Sequence, residues 1–313
     1  MKSMSSMAAK KNKNILHKYG PLYLMMLPGC LYLFINNYIP MAGIVIAFKK
    51  INFSLGIFKS PFVGLENFRF LFQTKDAFII TRNTILYNVA FIFVNTVVGI
   101  FLAILICEIQ NKMAKKIYQS AVLVPFLMSM VILSYIVYAL LSSENGMVNN
   151  SILPALGKEP VSWYNEPKYW PAILIITNCW KGVGYGCLIY ISTIIGIDKS
   201  YYEAAQLDGA SRCQLIRHIT LPGLKSTIIT LTLLNVGRIF YSDFGLFYQV
   251  PMNSGTILNT TNVIDTYVDR ALLQLGNTGM ASAAGVYQSL VGFVIVLLSN
   301  WAVNKLDSDS ALF

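Results

Sequence analysis

The chain has 313 residues, of which 55% are hydrophobic and only 12% are charged, and its net charge is +10. A soluble domain normally carries about 25% charged residues, so this composition excludes a water-soluble globular protein and an intrinsically disordered one. The five cysteines are widely spaced and odd in number, which excludes a disulfide scaffold and leaves a polytopic membrane protein.

Six stretches are long and apolar enough to cross a bilayer, which takes about 20 residues of helix. They are Leu22–Phe48, Asn83–Glu108, Tyr118–Leu141, Trp170–Ile197, Leu221–Tyr241 and Ala281–Val303. The sequence therefore predicts an all-α polytopic membrane protein with six transmembrane helices. The transmembrane domain is expected at 22–305, between cytoplasmic tails at 1–21 and 306–313. Pro28 and Pro40 are expected to kink the first helix.

The distribution of Lys and Arg places both termini in the cytoplasm, because cytoplasmic loops are enriched in basic residues. The same rule accounts for much of the net charge, and the basic residues form no single patch, so a nucleic-acid partner is not expected. The basic first outer loop is the exception. Its segment 61–72 is partly amphipathic and is expected to lie along the outer membrane interface.

Two further outer segments carry structural predictions. In the loop 142–169 and at the start of the fourth span, four aromatic residues are predicted to be interfacial anchors, namely Trp163, Tyr164, Tyr169 and Trp170. The irregular segment 242–280 is long enough to contain another short or re-entrant piece.

The cytoplasmic loop 198–222 is predicted to form two short helices. Ser200 and Glu203 have capping-box spacing, and Gly209 suits the left-handed position that ends a helix. Ser211 and Gln214 repeat the capping-box spacing. Such a structured loop indicates a docking surface, formed by exposed Tyr201, Tyr202, Ala204, Ala205 and Leu207.

The order of residues in this loop resembles the EAA motif of ABC-importer permease subunits. Glu203-Ala204-Ala205 is followed by three residues and Gly209, then by nine residues and Ile219, then by one residue and Leu221-Pro222. Every motif position is matched. Further stretches, among them 63–68, 202–210, 242–251 and 283–289, are similar to the LplB-type branch of carbohydrate permeases, which belongs to the maltose-transporter class of type I importers.

This resemblance implies a function and a set of partners. The chain would be a permease subunit of a binding-protein-dependent importer of oligosaccharides in the bacterial plasma membrane, working by alternating access. Its partners would be a second homologous permease, two cytoplasmic ATP-binding subunits and an extracellular solute-binding lipoprotein, besides membrane lipid and the carbohydrate. The chain has no phosphate-binding G-x-x-x-x-G-K-[ST] loop, so ATP and Mg²⁺ would be bound by the partner ATPase, and the chain itself is not expected to be an enzyme or to hold a cofactor.

The resemblance also assigns ATPase-coupling residues in the loop. They are Tyr202, Glu203, Ala204, Ala205, Asp208 and Gly209. Two of them have alternative interpretations. Glu203 would serve as the capping partner of Ser200 in any protein, and Asp208 is as readily explained as a solvated charge.

Polar and aromatic residues within the spans are candidates for a carbohydrate path, since amides bind hydroxyl groups and aromatic rings stack on sugars. They are Asn178, Trp180, Tyr185, Asn235, Arg238 and Tyr241, with Asn88 and Asn95 as further candidates. Arg238 and Asn235 are expected deep in the fifth span, and Arg238 suits an acidic sugar. The alternative for each is hydrogen bonding between helices or extension of the side chain to the interface.

Two other classes of protein remain as alternatives. A secondary transporter of a small polar solute normally has acidic residues in the middle of its spans, whereas the acids nearest the spans, Glu108 and Asp198, fall at span ends. A membrane-embedded enzyme needs clustered catalytic groups, but the two histidines, His17 and His218, are far apart. No metal site is predicted, since the cysteines lack zinc-site spacing.

Overall fold

A computed structural model describes residues 19–69 and 73–306, and within these ranges the backbone is helical, with a single isolated β-bridge between Lys49 and Phe62. Five helices in the described part are long and apolar enough to cross a membrane, and a bent pair of helices supplies a sixth crossing or a re-entrant loop. The prediction of an all-α polytopic membrane protein is therefore confirmed. Nearly all of both predicted tails lies outside the described residues.

The spans are numbered in chain order. Span 1 is Tyr19–Phe48, span 2 is Lys75–Glu108, span 3 is the pair Lys112–Leu127 and Met130–Leu141, span 4 is Pro167–Gly196, span 5 is Arg212–Val236 and span 6 is Thr278–Leu306. Between spans 4 and 5 lies the helix Lys199–Leu207, which we call the loop helix. The segment between spans 5 and 6 contains the short helices Phe244–Gln249, Leu258–Thr261 and Ile264–Leu273.

The connection between spans 1 and 2, residues 49–74, is mostly irregular. It contains one helical turn at Gly56–Lys59 and a 3₁₀ turn at Glu66–Phe68, and the bridge pairs Lys49 with Phe62. The segment predicted to be amphipathic, 61–72, thus begins as an extended stretch, and residues 70–72 lie outside the described part. Its location at a membrane interface stays a prediction.

Span 3 is broken, so the prediction of one continuous helix over Tyr118–Leu141 is wrong. The first half ends at Leu127 and the second begins at Met130, with a bend of 98° between them. The side chains of two polar residues stabilise this break. Lys181 of span 4 donates hydrogen bonds to the carbonyl oxygens of Phe126 and Met128, at 3.2 and 2.5 Å, and Ser129 caps the second half. Apolar composition alone does not reveal such a break.

Proline widens three helices without ending them. The π-helical turns Phe34–Tyr38, Val148–Ile152 and Ile216–Thr220 are each followed by one residue and then by a proline, at positions 40, 154 and 222. Proline has no N–H group and its ring crowds the preceding turn. The backbone N–H of the residue before each proline donates to the carbonyl oxygen five residues earlier rather than four, as the N–H of Leu221 does to Ile216. The π turn therefore accommodates Pro40 in span 1, while the described helix is α-helical around Pro28.

Trp170 is fully buried, at 0% exposure, so the prediction that it anchors the chain at the membrane interface is wrong. It packs in a cluster with Leu174 of span 4 and with Leu246 and Val250 of the segment before span 6. Its indole N–H donates to the carbonyl of Trp163 at 2.8 Å. The packing of Trp170 and its hydrogen bond to Trp163 hold the connection between spans 3 and 4 against the core.

Glycine permits a close approach of spans 3 and 4. A Cβ atom added at Gly184 would overlap the backbone carbonyl of Val122, whereas one added at Gly186, two residues along the same helix, would meet no atom within 4 Å. Small residues at such crossings let helix backbones pack closely in membranes.

We expect Gly184→Ala to destabilise the protein by about 1–3 kcal/mol, the usual cost of overpacking, and Gly186→Ala to be neutral. Thermal unfolding of the purified protein in detergent measures both. Equal melting temperatures for the two variants would contradict the close packing of spans 3 and 4 at Gly184.

Candidate coupling site and translocation path

The loop helix begins two residues earlier than the sequence suggests. Asp198, and not Ser200, is its N-cap, and the Asp198 carboxylate accepts a hydrogen bond from the Ser200 backbone N–H at 2.9 Å. This hydrogen bond lowers the pKa of Asp198. The predicted capping box of Ser200 and Glu203 is therefore wrong, because Asp198 precedes Ser200 and is an equally good cap.

The end of the loop helix agrees with prediction. Gly209 has φ +81°, in the left-handed region. Its N–H donates to the carbonyl of Gln206 at 3.0 Å, and the N–H of Ala210 donates to the carbonyl of Ala205 at 2.9 Å. This is a Schellman motif. In the helix that follows, the Ser211 N–H donates to the Gln214 side chain at 2.7 Å, as the second predicted capping box requires.

The six predicted coupling residues lie on two faces of this loop. Glu203, Ala204, Asp208 and Gly209 are exposed to solvent, and so is Leu207 between them, at 89%. The Glu203 carboxylate has no hydrogen-bond or ion-pair partner in the described part of the chain. These residues form a continuous exposed surface, which we call the docking face.

Tyr202 and Ala205 face the chain itself and are half-buried. The Tyr202 hydroxyl lies 2.9 Å from the hydroxyl of Thr220, at the start of the apolar part of span 5. Thr220 is a residue that sequence reasoning missed, since nothing in the motif marks a threonine before Leu221-Pro222 as a contact of the loop helix.

Among the candidate path residues of span 4, Asn178 and Tyr185 lie on one helical face, seven residues apart. Asn178 accepts a hydrogen bond from the Asn95 amide of span 2 at 2.8 Å, and the Tyr185 ring stacks on Phe126 at the break of span 3, with ring centroids 5.3 Å apart. The Asn95 carbonyl oxygen is buried without a partner in the described chain. Trp180 is partly exposed on another side of the helix.

Span 5 ends at Val236, so the prediction that it extends to Tyr241 and holds Arg238 in its depth is wrong. The chain continues in turns because the Asn88 amide of span 2 donates to the carbonyl oxygens of Ile239 and Tyr241, at 2.9 and 3.3 Å. These bonds replace part of the helical hydrogen bonding.

The side chains beyond the end of span 5 point in different directions. Asn235 and Arg238 are exposed, at and just beyond the end of the helix. The Tyr241 hydroxyl lies 3.2 Å from that of Ser289 in span 6. These hydrogen bonds divide the path candidates into one group around Asn178 and another around Tyr241.

Sequence reasoning missed a polar cluster beside Tyr241. The Asp265 carboxylate accepts hydrogen bonds from the Ser242 backbone at 2.7 Å and from the Gln288 amide of span 6 at 3.2 Å, and that amide also donates to the Phe240 carbonyl at 2.6 Å. Burial raises the pKa of Asp265, although these two donors partly oppose the shift. The available signal was Gln288, an amide within the apolar span 6.

The raised pKa of Asp265 gives the stability of the protein a pH dependence. A carboxyl group whose pKa is higher in the folded state stabilises the fold when protonated, and this contribution is lost as the pH rises through that pKa. The Asp265→Asn substitution keeps the shape of the side chain but removes its ionisable carboxyl group. We expect the melting temperature of this variant, relative to the parent protein, to increase from pH 5 to pH 8.

Asp269→Asn, on the same helix, controls for the loss of a negative charge. The melting temperature of Asp265→Asn relative to the parent protein is expected neither to fall nor to stay constant as the pH rises. Either result would contradict the predicted effect of burial on the pKa of Asp265.

The chain is similar over almost its whole length to two proteins of Bacillus subtilis (strain 168). It is 34% identical to the polygalacturonan/rhamnogalacturonan transport system permease protein YteP, over 95% of this chain and 91% of that protein. It is 30% identical to the protein LplB, over 92% of this chain and 90% of that one.

Two solved structures have the same fold. One is a bacterial ABC transporter involved in the import of the acidic polysaccharide alginate; its matching chain is 31% identical, with a TM-score of 0.86 and coverage of 95% of this chain and 99% of that one. The other is a bacterial alginate ABC transporter in complex with an alginate pentasaccharide-bound periplasmic protein, with 31% identity, a TM-score of 0.85 and coverage of 94% and 97%.

Residues 78–308 match the family described as the inner membrane component of binding-protein-dependent transport systems. This match includes spans 2 to 6 and the loop helix with its docking face. The chain belongs to the family of inner membrane components of binding-protein-dependent transport systems.

Proposed function

We propose that the chain is one permease subunit of an ATP-driven importer of oligosaccharides, and that the docking face binds a cytoplasmic ATPase. The observation that carries this proposal is the exposure of the motif residues Glu203 and Ala204 on a capped helix outside the spans. A carboxylate without a partner and a small neighbouring side chain suit close contact with a basic groove. Leu207 adds apolar area that gains free energy when it is covered.

In this proposal the end of the molecule that carries the loop helix is cytoplasmic, and so are both termini. Two ATPase subunits bind ATP and Mg²⁺, and this chain supplies no group for hydrolysis. Closure of the ATPase dimer moves the loop helix and reorients the spans around the substrate. A solute-binding protein delivers the substrate at the opposite end of the spans.

A second permease subunit completes the path. Six spans of one chain enclose only half of it, and span 1 is largely exposed before Ala42, while its last part, Ala42–Phe48, packs against span 6. In its most apolar window only 6% of the residues are buried. Such a helix is available to the other permease and to lipid.

We further propose that the substrate carries carboxylate groups. The names of the relatives support this proposal, because polygalacturonan and alginate are polymers of uronic acids. The exposed guanidinium group of Arg238 suits bidentate binding of a uronate carboxylate, while Asn235, Trp180 and Tyr185 offer hydrogen bonds and stacking to the sugar rings. A neutral oligosaccharide is the second candidate, since AraP of Bacillus subtilis, an arabinooligosaccharide permease protein, is 29% identical over 76% of this chain.

The role of the docking face is tested by reversing a charge. Glu203→Arg is expected to fold and insert normally but to lose substrate-stimulated ATP hydrolysis and uptake by at least about tenfold, because the carboxylate contact becomes repulsive. The measurement is uptake and ATP hydrolysis in proteoliposomes with the ATPase, the second permease and the binding protein. Glu159→Arg makes the same charge change in an exposed loop away from the docking face and is expected to behave like the parent protein. Parental uptake by Glu203→Arg would contradict the docking role.

The charge of the substrate is tested at Arg238. Arg238→Met is expected to raise the KM for an oligouronate about 10- to 100-fold, the cost of removing a charge-assisted hydrogen bond, and to leave the KM for a neutral oligosaccharide unchanged. Arg217→Met, an exposed arginine at the loop-helix end of span 5, is the matched control. An equal effect of Arg238→Met on both substrates would contradict carboxylate binding at this position.

A further inference from the structure

The Tyr202 side chain links the loop helix to span 5 by a hydrogen bond. Its hydroxyl lies 2.9 Å from that of Thr220, which is 5% exposed. The two residues are 18 positions apart, so the bond closes the segment between the loop helix and the membrane-spanning part of span 5 into a ring. Tyr202 belongs to the motif, but its side chain points away from the docking face.

The chain between these two residues departs from a continuous α-helix at three places. They are the left-handed turn at Gly209, the single helical turn Arg212–Leu215 and the π turn Ile216–Thr220. Hydrogen bonding in a π turn is less favourable than in an α-helix, and such turns often lie at functional positions. A displacement of the loop helix that travelled only along the backbone would therefore be partly absorbed before it reached the apolar part of span 5.

The bond between Tyr202 and Thr220 connects the loop helix directly to the apolar part of span 5, without the intervening backbone. Packing alone does not immobilise the phenol ring, because a cavity of about 380 Å³ lies beside it, lined by Cys107, Glu108 and Lys115 among others. The hydroxyl contact thus fixes the distance between the loop helix and span 5. At the other end of the loop helix, Asp198 follows directly on Ile197, the residue just after span 4, whose side chain contacts span 5 at Gly223.

We infer that Tyr202 is a positioning residue for transport, whose bond to Thr220 transmits movement of the loop helix to span 5. This inference rests on the proposed function, in which the ATPase moves the loop helix. Glu203 on the docking face receives the movement, and Tyr202 on the opposite face passes it to the membrane domain. Loss of the bond is expected to leave ATPase binding intact and to reduce the sugar transported for each ATP hydrolysed.

The test compares Tyr202→Phe and Thr220→Val, each of which removes one hydroxyl while nearly preserving shape, with the double variant. In proteoliposomes with ATPase, second permease and binding protein, each single variant is expected to raise the ATP hydrolysed per sugar imported about fivefold, as expected for loss of one hydrogen bond. The double variant is expected to match the single variants, because both remove the same bond. Thr220→Ser keeps the hydroxyl and is expected to retain the parental ratio. Tyr201→Phe changes an exposed tyrosine on the same helix and is the control.

A parental ratio of ATP to sugar in Tyr202→Phe, with the ATPase still copurifying, would overturn the inference and leave the proposed function intact. A lowered melting temperature of Tyr202→Phe with an unchanged ratio of ATP to sugar would also overturn the inference, since it would show that the bond has a purely structural role. Failure of the parent chain to copurify with any ATPase would overturn the proposed function, and the inference with it.

Discussion

In the apolar part of a bilayer each backbone N–H and C=O group must find a hydrogen-bond partner within the protein. Continuous helices meet this constraint by themselves, and interruptions need other donors. In this chain those donors are side chains of neighbouring spans. Lys181 binds the carbonyl groups exposed at the break of span 3, and Asn88 binds those that follow the end of span 5. Polar residues that look like parts of a substrate path thus have a prior role in supporting irregular backbone.

Span 2 provides several of these donors. At the end of this helix that lies away from the loop helix, the Asn83 amide donates to the carbonyl oxygens of Asn259 and Asn262, and the Tyr87 hydroxyl donates to that of Thr260. These bonds hold the short helices before span 6 against the bundle. Gln288 of span 6 and Asp265 complete the attachment from the other side. The segment 242–277 is consequently a folded part of the domain, although its sequence has neither the length nor the apolar run of a span.

The sequence was sufficient to predict the approximate position of the long apolar helices, since this depends on the length and composition of each segment, while the sixth crossing stays a prediction. It also predicted the turn at Gly209, because only a residue without a Cβ atom adopts that conformation readily. The break of span 3 and the end of span 5 were not predictable in this way. Both depend on where Lys181 and Asn88 reach on a neighbouring helix, which is a property of the tertiary structure. The burial of Trp170 was missed for the same reason, because an aromatic residue beside a span suits a core as well as an interface.

The loop helix shows why a motif does not assign the same role to all of its residues. With a helical repeat of 3.6 residues, neighbouring positions point to different sides. Glu203 and Ala204 are exposed, while Tyr202 and Ala205 face the chain. Residues on both sides are needed to transmit a movement, one set to receive it and the other to pass it on. The composition of the motif reflects both demands, since its small residues suit close contact and its tyrosine reaches across to Thr220.

Two exposed apolar surfaces of the chain differ in what their exposure means. Side chains of span 1 face an environment as apolar as themselves, so their exposure provides no hydrophobic driving force for binding another permease, and that association must depend on packing and polar contacts. Leu207 and Tyr201 lie on a helix outside the spans, where water makes their exposure costly. The hydrophobic effect therefore favours a partner at the loop helix much more than along span 1. In the proposed importer, this difference would let the ATPase contact be strong while the permease helices remain free to slide past each other during transport.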